Sequence, residues 1–420
     1  MSALFSHAAL APFQVRSYRF QWPADLLTSW ASEMEALILG WYVMVETGSV
    51  LLLTLLGSLQ YFGTLVAPLF GVVGDRIGHR NLLCAMRAVY CVLAVAMMAL
   101  ALAGLITPAF VLVIAALSGT VRPSDQVMRN SLIGALMPAD ALVSAMSVSR
   151  TTMDTARIAG ALAGAGVFAA LGMGLAYLVI ASLYAASFVL TLGIAGTARV
   201  TAIGTHASPA VRRTHWGDLR EGIAYVWTTP AAVSAMALAF LVNLTAFPLS
   251  NGLLPYVARD IYRVDQAGLG YLVASFACGS LIGSLALTIG GRGIRPGRMM
   301  IVAIAIWYAL LLVFANLGSA AGGLPVLLCA GLAQSLGMVP MSVMLLRTAD
   351  EQFRGRVMGV RMLAVYGLPL GLLGAGMLIG RIGFVATANC YCLAGLALTL
   401  AIAVHWRADL WRATAPANLR

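Results

Sequence analysis

Charged residues are scarce in this chain, and lysine is absent altogether. Of 420 residues only 10% are charged, 61% are hydrophobic, and the mean hydropathy is +0.92. Soluble domains carry about 25% charged residues, so the composition indicates a protein with many membrane-spanning segments. All 26 basic residues are arginine. They are scattered among loops instead of forming one basic patch, which argues against nucleic-acid binding.

Cysteine and histidine are also few and have no metal-binding pattern. The six cysteines lie in apolar segments, and the five histidines lie in loops or near the chain ends. Cysteines in such surroundings are small core residues, not metal ligands. The sequence contains no recognisable nucleophile–base pair. We therefore expect no enzyme, no metal and no cofactor.

The apolar residues form long runs, and about 20 residues suffice for one helical crossing of a membrane. Twelve spans with short loops account for the length. The predicted spans are 20–46, 50–72, 82–104, 108–130, 142–170, 174–196, 231–256, 267–290, 298–316, 324–346, 356–380 and 383–405.

A charged, glycine-punctuated segment separates the second and third spans. Residues 71–80 read Gly-Val-Val-Gly-Asp-Arg-Ile-Gly-His-Arg, with the spacing G-x-x-x-D-R-x-G-x-R. Lipid tolerates neither unpaired backbone groups nor isolated charges, so this turn must lie at a membrane face. Its glycines permit a tight turn and a close approach of helices.

The two halves of the chain repeat each other. Ala163-Gly-Ala-Gly166 returns 210 residues later as Leu373-Gly-Ala-Gly376, and Gly63 returns 216 residues later as Gly279. Near-constant shifts of about half the chain indicate duplicated halves around a central site.

The 71–80 segment resembles the cytoplasmic loop motif of the major facilitator superfamily of secondary transporters. The resemblance implies an all-α membrane protein with twelve transmembrane helices in two six-helix pseudo-symmetric halves. It predicts an N-terminal bundle (1–197), a cytoplasmic linker with an interfacial amphipathic helix (198–230) and a C-terminal bundle (231–420). The resemblance also implies a conformational gate formed by Gly71, Asp75, Arg76, Gly78, Arg80, Arg122 and Arg356.

Other segments resemble the exporter branch of this superfamily, which includes enterobactin exporters and macrolide or multidrug efflux pumps. They are Thr47-Gly-Ser49, the linker helix 216–227, Leu254-Pro255 and Arg354-Gly-Arg356-Val357. Arginine is concentrated in the segments assigned to the cytoplasm. By the positive-inside rule, we expect a multi-pass protein of the bacterial inner membrane with both termini cytoplasmic.

Ionisable side chains inside the spans cost at least ~2.5–3.5 kcal/mol each on insertion scales, so they should be paired and functional. Span 1 carries Asp25, Glu33 and Glu35. Glu33 shares a polar stripe with Asp25, whereas Glu35 points about 200° around the helix from Glu33. All three are candidates for proton coupling, and we expect Glu33 and Glu35 to occupy different sites.

Spans 4 and 5 carry further charges. Asp125 and Asp154 are additional candidates for proton coupling, and Arg122 occupies the place of the family's span-4 arginine. Arg150 and Arg157 flank Asp154 at helical spacing, which predicts a charge network on one face of span 5. Such a network can be structural as well as functional.

The embedded polar residues of the second half are mostly neutral and are accompanied by aromatic residues. This composition favours an apolar, hydrogen-bonding wall for a bulky substrate. With two residues of span 1, the candidates for the substrate cavity are Trp30, Met34, Asn243, Phe247, Tyr308, Gln334 and Tyr366.

The resemblance and the charges together predict proton-coupled export of a lipophilic or amphipathic small molecule, such as a drug or siderophore, by alternating access. The alternative is an importer of an anionic metabolite or a lysophospholipid flippase, in which Arg122 and Arg157 hold a carboxylate or phosphate. We expect the partners to be the substrate, protons and the lipid bilayer, with no nucleic acid, and we expect a monomer.

Overall fold

The computed structural model describes residues 11–64, 70, 73–74, 76–194, 221, 224–290, 295–349 and 353–411. All regular secondary structure in these residues is helical. The α-helices are α1 (Arg16–Thr47), α2 (Val50–Leu59), α3 (His79–Leu102), α4 (Pro108–Leu136), α5 (Ala139–Leu192), α6 (Pro230–Thr245), α7 (Leu254–Tyr256), α8 (Gln266–Gly290), α9 (Pro296–Ala315), α10 (Ala320–Thr348), α11 (Arg354–Leu363), α12 (Gly367–Ile382), α13 (Phe384–His405) and α14 (Arg407–Trp411).

Eight helical segments in the described ranges are long and apolar enough to cross a membrane. The α5 segment Ser144–Leu192 counts once, although its 49 residues suffice for two crossings at about 20 residues each. Helix α1 is not among the eight, because its acidic residues lower its hydropathy. The protein is a multi-pass membrane protein, and the number of twelve crossings stays a prediction.

Several predicted spans are interrupted. The span predicted at 50–72 breaks after α2. The span predicted at 231–256 contains a π-helical turn at Pro248–Gly252, and a second π-helical turn, Val257–Ile261, follows its end. Pro248 and Pro255 have no backbone N–H to donate, so they interrupt the α-helical hydrogen bonds of this segment. The span predicted at 356–380 is divided by a 3₁₀ turn, Ala364–Tyr366. Conversely, the two spans predicted at 142–170 and 174–196 form the single run α5, which turns at Gly172 with φ 73°, a value that glycine adopts readily.

The chain divides into two compact units that exchange short segments. The N-terminal unit comprises Met1–Gly48, Leu59–His206 and Asp265–Ala274, and the C-terminal unit comprises Ser49–Ser58, Ala207–Val264 and Ser275–Arg420. Each unit therefore contains a piece of α2 or α8 that the sequence repeat assigns to the other half. The boundaries after Ser58 and after Ala274 are 216 residues apart, the same shift that relates Gly63 to Gly279. The proposed linker residues 198–220 lie outside the described residues, so the predicted domain limits stay a prediction.

Glycines bring helices into backbone contact within each unit. A Cβ atom at Gly119 of α4 would overlap the Leu59 carbonyl, and one at Gly331 of α10 would overlap the Phe276 carbonyl. Small residues allow this close packing in membranes, where apolar burial alone does not hold helices together. In each unit a glycine thus packs against a backbone carbonyl, Gly119 against that of Leu59 and Gly331 against that of Phe276.

Candidate functional site

The three acidic residues in the middle of α1 have separate surroundings in the N-terminal unit. Asp25 and Glu35 are buried, with 7% and 6% of their surface exposed, whereas the Glu33 side chain is 33% exposed. Because α1 packs against α4 and α5, each carboxylate meets a different set of partners.

Asp25 belongs to a buried network of four charges. The fully buried Arg87 of α3 donates a hydrogen bond to its carboxylate, and Arg87 also donates to the Thr191 hydroxyl at the end of α5. Arg129 of α4 lies 3.7 Å from the same carboxylate through Nε and 2.6 Å from Asp125 Oδ2 through Nη2. Two carboxylates and two guanidinium groups therefore neutralise each other away from water, which a membrane interior requires.

Arg87 has no role in the sequence interpretation above, although the signal was present. It is a single arginine within the apolar run of the third span. The rule that an ionisable residue inside a span needs a partner applies to it as well as to the acids of α1.

Next to the network of Asp25, a small cavity is lined by Tyr18, Trp22, Asp25, Ser29, Arg129, Ile133, Ser149, Thr152 and Met153.

Glu35 is surrounded by tyrosines. The Tyr184 hydroxyl donates a hydrogen bond of 3.1 Å to Glu35 Oε2, and the ring of Tyr184 stacks on that of Tyr90 at 5.3 Å. The hydroxyl of Tyr177 is buried and has no hydrogen-bond partner in the described structure. Glu35 thus accepts a hydrogen bond from Tyr184 while its side chain is almost entirely shielded from solvent.

Arg122 bridges α1 to the turn that follows α2. Its Nη2 donates to the Ser32 carbonyl at 2.7 Å, and its Nη1 donates to Gln60 Oε1 at 2.6 Å. Ser32 precedes Glu33, so the guanidinium lies beside the turn of α1 that carries this carboxylate. Arg122, which the sequence predicts to be important, is therefore held by two hydrogen bonds. Its partner Gln60 could not be predicted from the sequence, because a neutral glutamine in a span does not stand out as a charged residue does.

Glu33 and the charges of α5 line a more open surface. Glu33 Oε1 lies 3.9 Å from Arg157 Nε, and the two side chains are 33% and 37% exposed. One turn away, Arg150 Nε lies 3.3 Å from Asp154 Oδ2, with the arginine 68% exposed and the aspartate 9%. The structure therefore divides the predicted α5 network into two pairs.

The substrate-cavity candidates have mixed surroundings within their units. Tyr308 is fully buried, and its hydroxyl lies 2.7 Å from the Thr245 hydroxyl. Gln334 accepts a hydrogen bond of 3.1 Å from Ser280. These contacts favour packing roles. Asn243 donates to its own helix at Ala239, Met34 is buried, Phe247 packs edge-on against Trp307, and Trp30 and Tyr366 are partly buried.

The predicted gate lies partly outside the described residues. Gly71 and Asp75 belong to that part, as does the side chain of Arg356, whose backbone is in α11. Gly78 has φ 90°, a conformation that favours glycine. Arg80 donates a hydrogen bond of 2.6 Å to the Leu192 carbonyl at the end of α5, where a cation suits the helix dipole. Arg76 is exposed.

A multi-pass helical membrane protein with paired charges inside its spans has the characteristics of a secondary transporter. Residues 22–375 match the Major Facilitator Superfamily. The match covers most of the chain, and the chain belongs to this family, as a transporter of small molecules. Comparison with curated protein sequences gives no significant match.

Solved transporter structures share the fold at low sequence identity. The nucleoside transporter NupG superposes with a TM-score of 0.71 and 14% identity, covering 94% of this chain and 99% of its own. An auto-inhibited POT-family peptide transporter gives a TM-score of 0.73 and 12% identity, covering 93% and 97%. A bacterial homologue of the human lysosomal transporter Spinster gives 0.69 and 13%, covering 94% and 96%. Identities this low establish the fold alone.

Proposed function

We propose that the chain is a proton-coupled exporter of lipophilic or amphipathic small molecules in the bacterial inner membrane. Family membership accounts for small-molecule transport. The exporter-like segments support the direction, and the distribution of arginine supports a topology with both termini in the cytoplasm. The protein acts as a monomer by alternating access, with a carboxylate of the N-terminal unit binding and releasing the proton.

The observation that carries the proton-coupling role is the loose pair of Glu33 and Arg157. A coupling carboxylate must be reachable by water and must be able to leave its counter-charge when it is protonated. Glu33 is partly exposed, and its 3.9 Å separation from Arg157 is too long for a hydrogen bond. Protonation of Glu33 therefore breaks few contacts.

The other acidic residues suit structural roles better. Asp25 and Asp125 share Arg129, and Asp25 also bonds to Arg87, so protonating either would leave buried arginine charge uncompensated. Asp154 has its own arginine, Arg150. Glu35 is sealed among tyrosines and has no direct access to solvent in the described structure, so its proton exchange would require a conformational change.

The matched pair Glu33→Gln and Glu35→Gln tests the proposal. Inverted vesicles containing each variant would be given a proton gradient, and accumulation of the amphipathic dye ethidium would be followed by fluorescence. We expect Glu33→Gln to lose accumulation while retaining downhill dye movement, and Glu35→Gln to keep gradient-driven accumulation. The same vesicles without a gradient give the downhill rate for each variant.

Two results would contradict the proposal in different ways. If only Glu35→Gln abolishes accumulation, the coupling proton binds at Glu35. If the wild-type protein accumulates neither ethidium nor a neutral amphiphile under a proton gradient, proton-coupled export is wrong.

A second candidate function is import of an anionic metabolite or flipping of a lysophospholipid. The exposed guanidinium groups of Arg150 and Arg157 favour it, because arginine binds carboxylate and phosphate through two parallel hydrogen bonds. A fluorescent lysophospholipid in proteoliposomes separates the two functions. Movement of that probe in the wild-type protein, lost in Arg157→Gln while ethidium accumulation is absent in both, would favour the second.

A further inference from the structure

The guanidinium of Arg129 has one donor group without a protein partner. Its Nη1 donates to Ser29 Oγ at 2.9 Å, and its Nη2 lies 2.6 Å from Asp125 Oδ2. Its Nε is buried and has no hydrogen-bond partner among the described residues, and Arg129 as a whole has only 5% of its surface exposed. A buried donor requires an acceptor, because leaving it unpaired costs free energy.

The carboxylate of Asp25 lies at a distance from this donor that suits an intervening water. Arg129 Nε and Asp25 Oδ1 are 3.7 Å apart, which is too long for a hydrogen bond. Polar groups separated by more than about 3.5 Å can interact through a bridging water. A water beside both atoms can accept from Nε and donate to the carboxylate.

Arg129 and Asp25 both line the small cavity next to the charge network, and other walls of this cavity are polar too. Ser149 and Thr152 contribute hydroxyl groups, which can donate and accept. Trp22, also in the wall, donates to Thr152 Oγ1 at 2.9 Å. The cavity leaves about 10 Å³ for the centre of a water molecule, close to the space of about 10–15 Å³ that one water needs. It therefore admits one water and no larger ligand.

The charges around the cavity favour a neutral occupant. The guanidinium of Arg129 repels a metal cation, and the carboxylate of Asp25 repels an anion such as chloride. The network of two carboxylates and two guanidinium groups is already balanced, so it requires no further ion. Water suits both neighbours, because its oxygen accepts from the arginine while its hydrogens donate to the carboxylate.

We propose that the cavity is a hydration site for one water molecule, which bridges Arg129 Nε to the Asp25 carboxylate and bonds to the Ser149 hydroxyl. The water completes the hydrogen bonds of Arg129 and holds its guanidinium between Asp25 and Asp125. It is a structural part of the charge network in the N-terminal unit, and it is independent of the substrate and of the direction of transport.

X-ray footprinting of the wild-type protein in detergent tests the proposal without any substitution. A short X-ray pulse converts bound water into hydroxyl radicals that modify adjacent side chains, while a scavenger in the buffer removes radicals formed in bulk water. Tyr18 lines the cavity, and Tyr308 of the C-terminal unit is the reference. The two tyrosines are 1% and 0% exposed. We expect Tyr18 to be modified several times faster than Tyr308, and equal rates would overturn the proposal.

A pair of valine variants tests whether the radicals come from this cavity. Ser149→Val replaces the hydroxyl with methyl groups and should displace the water, so the modification rate of Tyr18 should fall towards that of Tyr308. Ser182→Val makes the same change at an exposed position of α5 and should leave the rate of Tyr18 unchanged. The inference is wrong if Tyr18 keeps its rate in Ser149→Val or loses it in Ser182→Val.

Thermal unfolding of the two variants distinguishes a hydrated cavity from a dry one. Filling a dry cavity improves packing and raises Tm, whereas displacing an ordered water by an apolar group leaves Arg129 Nε unpaired and lowers Tm. We expect Ser149→Val to unfold at a lower temperature than Ser182→Val. A higher Tm for Ser149→Val would show that the cavity is dry and would contradict the inference.

Discussion

The guanidinium of Arg87 donates a hydrogen bond to the carboxylate of Asp25, and Arg87 has no exposed surface. The pair joins α1 to α3 inside the N-terminal unit, and Thr191 of α5 accepts a second bond from the same arginine. This arginine therefore holds three helical segments together at one point.

Loss of Arg87 should be strongly destabilising. Arg87→Ala leaves the buried Asp25 charge with Arg129 alone, and removing one member of a buried pair costs about 3–5 kcal/mol. Thermal unfolding of the purified protein in detergent should show a large fall in Tm. The double variant Asp25→Asn with Arg87→Met removes both charges and should recover part of the loss. A double variant less stable than Arg87→Ala would contradict a dominant charge effect.

The crossing of α8 with α10 should not tolerate a methyl group. Gly331→Ala places a Cβ atom against the Phe276 carbonyl, so the helices must separate and lose packing. Gly134→Ala is the matched control, because open space surrounds that helical glycine and alanine favours a helix by up to about 1 kcal/mol. We expect a lower Tm for the first variant and an equal or higher Tm for the second. Equal Tm values for both would show that the crossing can relax.

Tyr308 should contribute to stability rather than to substrate binding. Tyr308→Phe removes the hydrogen bond to Thr245 and should lower the free energy of unfolding by about 0.5–1.5 kcal/mol, while ethidium transport stays at the wild-type rate. Thr245→Val tests the same bond from the other side and should give a similar loss. If Tyr308→Phe folds but no longer transports ethidium, the prediction is wrong and Tyr308 takes part in substrate binding.

Local sequence patterns predict the helices well because hydropathy is a local property. The span predicted at 82–104 corresponds to α3, His79–Leu102, and the span predicted at 324–346 lies within α10. The separation of Glu33 and Glu35 around α1 also follows from helix geometry alone. In the structure they contact different residues, Arg157 and Tyr184 respectively, whereas their roles in proton transfer stay predictions.

Features that depend on distant contacts could not be predicted in this way. The bond between Gln60 and Arg122 joins residues 62 positions apart, and no local pattern indicates a break at Gln60. The exchange of Ser49–Ser58 between units likewise follows from packing of the folded chain. The need of Arg87 for a partner is different, because a single arginine within an apolar run can be recognised from the sequence.

The charge network around α1 has a consequence for how the protein enters the membrane during synthesis. Helix α1 carries Asp25, whereas the arginines that neutralise this residue follow it by 62 and 104 positions along the chain. A helix with uncompensated charges is held poorly in lipid. Stable burial of Asp25 therefore depends on α3 and α4, which are synthesised after α1.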